Sequence, residues 1–207
     1  MARYFLEIAY DGTAYHGLAT QVKGDTVQKT IDDVLAILFK TDIATTTSSR
    51  TDAGVHARQN YFHFDAESLP QQLVYKLNAI LPPDIYVISC EEVADDAHCR
   101  FDAKSRLYNY HLILHKDPFL INKAWHYPYK VDIDVLHKTA DIIYNQTDFT
   151  SFCKKHSDNF TNNCKIIRSH WTRRSDSHLV YTVEANRFLR GMVRGLVATQ
   201  LAAARGK

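Results

Sequence analysis

"TTTSSRTDAGVHARQNYFHF" occupies Thr45–Phe64. Two β-rich runs, 43–50 and 58–65, flank a bend at Ala53-Gly54, so the pattern predicts a pair of strands joined through a tight turn. A turn of that kind needs a glycine. It does not need Arg50, Thr51, Asp52, His56 and Arg58 crowded around the same bend. A carboxylate is ionised at neutral pH, and a neighbouring guanidinium favours that form, so Asp52 has the chemistry of a nucleophile or base. The same residue also suits a plain turn former bonded to local backbone. Spacing alone leaves both readings open.

Outward from this stretch, 3–10 reads as a strand closed by Asp11-Gly12. Val27, Ile31, Val34, Leu35 and Leu38 then fall on one helical face, with Asp25 as expected N-cap and Gln28 completing a capping box. After the central pair of strands comes a second helix, with Ser68 and Gln71 as its capping pair and Leu73, Val74, Leu77 and Ile80 turned inward. Pro82-Pro83 stops it, and 85–93 forms a strand. The order is β-α-β-β-α-β.

The second half starts the same way. A strand at 104–115 precedes a helix marked by Ile133, Leu136, Ala140, Ile143 and Tyr144. Two strands at 165–174 and 178–185 follow, and then a helix predicted over 187–204, with Phe188, Met192 and Leu196 at fourfold spacing. This is the first order again without its closing strand. An α+β class follows, with two ferredoxin-like lobes, 1–103 and 104–207, whose antiparallel sheets would merge around a cleft. The second lobe is expected to be truncated.

The net charge of +2 conceals an asymmetry. Residues 1–103 carry 8 Lys and Arg against 15 Asp and Glu, a net of −7; residues 104–207 carry 17 against 8, a net of +9. A basic half of that size suits a polyanion, with nucleic acid the first choice. Arg187, Arg190 and Arg194 would form a basic stripe at i, i+3 and i+7 of the last helix, and three arginines favour planar recognition of phosphate. Tyr108 and Tyr110 share a strand face with Arg106, Leu112 and Leu114. That face is either core packing or a platform for an unstacked base.

Several classes are disfavoured. Charged Arg3 and Glu7 break up any signal-peptide layout, and no apolar run approaches the length of a membrane span. The four cysteines form no C-x-x-C pair and the 11 histidines no H-E-x-x-H, so the pattern signals neither a disulfide framework nor a metal site. A reduced cytoplasmic protein is expected.

The blocks "YDGTAYHG" (10–17), "SRTDAGVHA" (49–57), "RLYNYHL" (106–112), "DFTSF" (148–152) and "FLRGMVR" (188–194) resemble the TruA-type tRNA pseudouridine synthases, in the family's order and over nearly the whole chain. The resemblance implies an isomerase that converts uridine to pseudouridine in the anticodon stem-loop of tRNA, as a homodimer and without cofactor or metal. It implies that Asp52 is the nucleophile, that Tyr108 stacks on the target base and that Arg194 pairs with the aspartate. Arg50 would hold or flip out the target nucleotide. Thr51, His56, Arg58, Tyr110, Arg187 and Arg190 complete the expected substrate-binding set. Three departures stand out: Leu18-Ala19 where the family has Trp-Gln, Ser49 where it has glycine, and the missing C-terminal helix and strand. They leave a catalytically weak RNA-binding relative as the alternative. A glycosidase-like hydrolase would need a second carboxylate, and none is evident.

Overall fold

A computed structural model describes residues 1–153 and 160–206. They form two compact units, Met1–Ala103 and Lys104–Lys207, each a four-stranded sheet with two helices.

The first unit runs β1 (Ala2–Tyr10), α1 (Val27–Phe39), β2 (Thr46–Thr47), β3 (Ala57–Ala66), α2 (Leu73–Ile80) and β4 (Ile85–Val93). Its sheet order is β2-β3-β1-β4, antiparallel throughout. Alternation along β1 turns Tyr4, Leu6, Ile8 and Tyr10 to one face, where they meet Phe62 and Phe64 of β3 and the buried stripe Val27, Ile31, Val34 and Leu35 of α1. Burying each large apolar side chain is worth about 1.5–3 kcal/mol, against about 1 kcal/mol for a cap. The stripe therefore fixes α1 whichever residue caps it.

The expected caps are indeed different. Thr26, not Asp25, caps α1, its hydroxyl accepting from the Lys29 N–H at 3.3 Å. Gln28 turns away instead, with its side chain accepting from the Thr20 N–H and donating to the Thr45 carbonyl. In α2 the Ser68/Gln71 pair has no capping role: Gln72 is the N-cap, in a left-handed conformation with φ 55° and no side-chain cap bond. Ile80 lies on the exposed side of that helix, while Leu73 and Leu77 enter the core. The strand expected over 43–50 contracts to Thr46–Thr47, because Ser48 and Ser49 bond to Asn60 by side chain and the chain then leaves the sheet.

The second unit contains β5 (Arg106–Ile113), β6 (Trp125–His126), α3 (Ile133–Tyr144), β7 (Ile166–Ser175), β8 (His178–Ala185) and α4 (Met192–Ala203), in sheet order β6-β5-β8-β7. Its core joins Leu112, Trp171, Leu179, Tyr181 and Val183 of the sheet to Leu136, Ala140 and Ile143 of α3 and to Met192, Leu196, Val197 and Leu201 of α4. Buried Gln200 is satisfied on both sides: it accepts from Trp171 Nε1 at 2.8 Å and donates to the Leu196 carbonyl at 3.2 Å. The two-residue β6 was not foreseen. It pairs in parallel with Leu112 and Ile113 of β5.

The last helix also differs from expectation. Gly191 sits at φ 75° and forms the N-cap, so α4 starts at Met192. Arg187 and Arg190 precede it in irregular chain, and only Arg194 is helical. The three arginines therefore do not form a stripe on one helix face. A helical periodicity continued through a glycine misled the sequence reading.

Candidate active site

In the first unit the chemistry-bearing stretch is a loop, Ser48–His56, between β2 and β3. Its bend is closed by Val55 N–H donating to the Asp52 carbonyl at 3.2 Å, with Gly54 at φ 74° in the third position of the turn. A positive φ there is the signature of a type II turn and is what the Ala-Gly pair supplies. Asp52 and Thr51 are half-buried, whereas Arg50 and Arg58 are exposed on either side of the turn.

The segment after β1 is laid directly against this loop. Leu18 N–H donates to the Thr51 carbonyl at 3.2 Å and Gly54 N–H reaches the Tyr15 carbonyl at 3.4 Å. The Tyr10 and Thr51 hydroxyls share a bond of 2.8 Å. His56 Nδ1 faces both the Gly12 N–H at 3.1 Å and Asp11 Oδ1 at 2.9 Å, accepting from the first or donating to the second according to its protonation. Tyr15 is anchored in turn by Asp84, whose carboxylate accepts its hydroxyl at 2.7 Å. Burial and that carboxylate both push the Tyr15 phenol up, so it remains a donor.

Two glycines permit this approach. A Cβ on Gly12 would lie 2.1 Å from the Val55 carbonyl oxygen, and one on Gly17 would lie 2.8 Å from that of Thr51. Gly17 also needs φ +103°, which L side chains rarely adopt. Beyond these contacts, the Asp32 carboxylate accepts from the Thr45 hydroxyl at 2.6 Å, and Gln28 holds the Thr45 carbonyl at 2.8 Å. Burial raises Asp32 to about 6 despite the Thr45 bond. Asp52 is thus carried on a loop braced by two preceding segments of chain. Tyr10, Gly12 and Gly17 were missed as functional residues. Their signal was the Y-D-G-T-A-Y-H-G block, read only as a resemblance.

The second unit holds the other candidates. Tyr108 and Tyr110 are half-buried on one face of β5, opposite Val183 and Tyr181 of β8. Phe188, just before α4, packs edge-on against Tyr108 with ring centroids 5.2 Å apart. Tyr110 packs edge-on against Trp125 at 6.3 Å. Burial raises the Tyr110 phenol, and the Arg194 charge opposes that shift, so Arg194 and Tyr110 belong to one electrostatic neighbourhood. Arg190 and Arg194 are exposed and Arg187 is half-buried. Arg106 donates from Nη1 to the Asn186 carbonyl at 2.9 Å, tying the start of β5 to the loop after β8.

One unit therefore groups Arg50, Thr51, Asp52, His56 and Arg58 around a turn. The other groups Tyr108, Tyr110 and Arg194, with Arg187 and Arg190 on the approach to α4. The first arrangement can present a carboxylate. The second can present aromatic faces beside a cation. Among the described residues, no helix is long and apolar enough to cross a membrane.

The profile of a family described as tRNA pseudouridine synthase matches residues 146–207. Whole-chain similarity extends further. The tRNA pseudouridine synthase A of Parabacteroides distasonis is 42% identical over 210 residues, covering 100% of this chain and 83% of the relative. That of Bacteroides fragilis is 41% identical, covering 99% and 82%. The corresponding protein of Staphylococcus saprophyticus is 35% identical, covering 99% and 78%. Identity at this level over nearly the whole of this chain and about four-fifths of each relative shows common descent: the chain belongs to the tRNA pseudouridine synthase A family.

Proposed function

We propose that this chain isomerises uridine to pseudouridine in the anticodon stem-loop of tRNA, with Asp52 as the nucleophile. The observation that carries the reading is the braced turn. A carboxylate sits on a loop held by Tyr10, Gly12, Tyr15 and Leu18, in a chain alike over its whole length to proteins named tRNA pseudouridine synthase A. The reaction breaks the N1–C1′ bond, turns the uracil and forms a C5–C1′ bond. The C5 proton leaves and N1 gains one, so atoms and electrons balance without oxidant, reductant or water. A carboxylate can carry the ribose or the base through a covalent adduct while the other half reorients.

The remaining roles follow from chemistry. The target base must leave its stack and be received on an aromatic face, the part given to Tyr108, with Phe188 fixing its ring and Tyr110 beside it. Arg194 supplies a guanidinium for the anionic groups of the reaction, and Arg50 holds the extruded nucleotide. Thr51, His56 and Arg58 shape the loop around the substrate, and Arg187 and Arg190 take phosphates. Two ferredoxin-like lobes fit the sheet orders found, and a cytoplasmic homodimer is the proposed working form.

A weak RNA-binding relative is the second reading, favoured by Leu18-Ala19. Leu18 is nonetheless fully buried in the first core and its N–H holds Thr51, so the exchange keeps the loop braced. Incubation with an anticodon stem-loop RNA carrying tritium at uridine C5 separates the two. Release of tritium with matching pseudouridine is the expected result. Binding without release would establish the second reading.

A further inference from the structure

A cluster of metal-ligating side chains lies outside the residues given a role above. His63 of β3 is buried, and its Nδ1 is 3.2 Å from the sulfur of Cys99, which is also buried. His98 packs edge-on against His63 with ring centroids 4.6 Å apart, and Phe101 covers its other side at 4.2 Å. One nitrogen from each imidazole and the Cys99 sulfur all lie within 4.8 Å of one another. Donors in a tetrahedral zinc centre, with bonds of about 2.0–2.3 Å, stand roughly 3.3–3.7 Å apart. Rotations of about an ångström would close this set around an ion.

Both imidazoles already have backbone partners. Backbone N–H groups of Cys99 and Arg100 point at Nδ1 of His63 and His98 at 3.3 and 3.2 Å. Each Nδ1 has one lone pair, so an ion held there would exchange these two long backbone bonds for metal–nitrogen bonds. Two imidazole nitrogens and one cysteine sulfur make a borderline-soft set that matches zinc rather than magnesium or calcium.

We propose that His63, His98 and Cys99 bind a divalent cation of the zinc class, as a structural clamp separate from the isomerase chemistry. Cys99 loses its thiol proton to solvent as the sulfur–metal bond forms; nothing is oxidised or reduced. The clamp has a mechanical consequence. Thr46 of β2 is the register partner of His63, and its carbonyl lies 3.2 Å from the Cys99 sulfur. A cation here would fasten β2 and the 98–102 turn to β3, and β2 leads directly into the loop that carries Asp52. Spacing could not reveal the site, because His63 lies far from His98 and Cys99 in the chain and only the fold joins them.

The test uses the full, reduced chain after chelator treatment, titrated with Co²⁺. The expected result is a sulfur-to-cobalt charge-transfer band with tetrahedral visible bands, saturating at one equivalent and displaced by Zn²⁺. Binding should release about one proton per ion, and Zn²⁺ should raise the melting temperature. Cys99→Ala and His63→Gln, each verified as folded by circular dichroism, should lose the band and the shift, whereas Cys90→Ala should keep both. Should Cys99→Ala fail to fold, Cys99→Ser gives the same reading. No charge-transfer band in the parent, or a band surviving in both variants, would overturn the proposal and leave a hydrogen-bonded thiol–imidazole pair only.

Discussion

Gly12→Ala tests whether the segment after β1 positions the Asp52 loop. Gly12 is buried and its φ is not in the left-handed region, so the added methyl meets a pure steric problem. Its Cβ would stand 2.1 Å from the Val55 carbonyl oxygen. Ordinary carbon–oxygen contact lies above 3 Å, so the two chains must part by about 1 Å. Val55 closes the turn whose first residue is Asp52, so the carboxylate moves with it. A displacement of about 1 Å from a productive geometry costs roughly 100-fold in rate, or about 2.7 kcal/mol of transition-state stabilisation. The assay is single-turnover pseudouridine formation at saturating tRNA, with binding measured in parallel. The rate should fall about 100-fold while affinity changes only a few-fold, because phosphate contacts are made elsewhere. A rate within threefold of the parent would refute the bracing argument.

Other expectations follow from the same geometry. Arg190→Ala and Arg187→Ala should weaken tRNA binding and flatten its salt dependence, since each phosphate released contributes about 0.7–0.9 to the logarithmic slope; an unchanged slope would remove both from the RNA contact. Asp32→Asn should raise the melting temperature at pH 8. Burial pushes the folded carboxyl up to about 6, above the usual carboxylate value of 3.8, so between those values the folded state holds the extra proton and stability falls as pH rises. The gain should therefore be full above pH 6 and vanish near pH 4; a gain independent of pH would mean Asp32 is not the source. Gln200→Leu strands the Trp171 indole N–H in the second core, and should cost about 1–3 kcal/mol in denaturant unfolding.

What the sequence revealed depended on whether the signal was local. Strands bounded by clear turn residues, β4 and β8, and helices with a clean apolar face, α1 and α3, sit where the pattern placed them. Caps were less legible, because Thr26 and Asp25 are both good capping residues and the surrounding packing decides between them. The α4 start was misread because the fourfold spacing of Phe188, Met192 and Leu196 runs straight through Gly191, which caps the helix. Close approach was invisible. Nothing in Y-D-G-T announces that its glycine lies against Val55, or that His63 meets Cys99, because those pairings exist only after the sheet forms. The candidate residues were therefore readable as a set, while the supports that position them required the fold.

The central claim is that the Asp52 carboxylate attacks the substrate. Asp52→Asn is nearly isosteric and removes one negative charge from a protein that binds a polyanion, so tRNA affinity should stay within a few-fold of the parent or improve. Pseudouridine formation in single-turnover conditions should fall below detection, together with release of the C5 proton. Retention of a tenth of the parent rate, with the asparagine verified intact by mass spectrometry after the assay, would contradict the account.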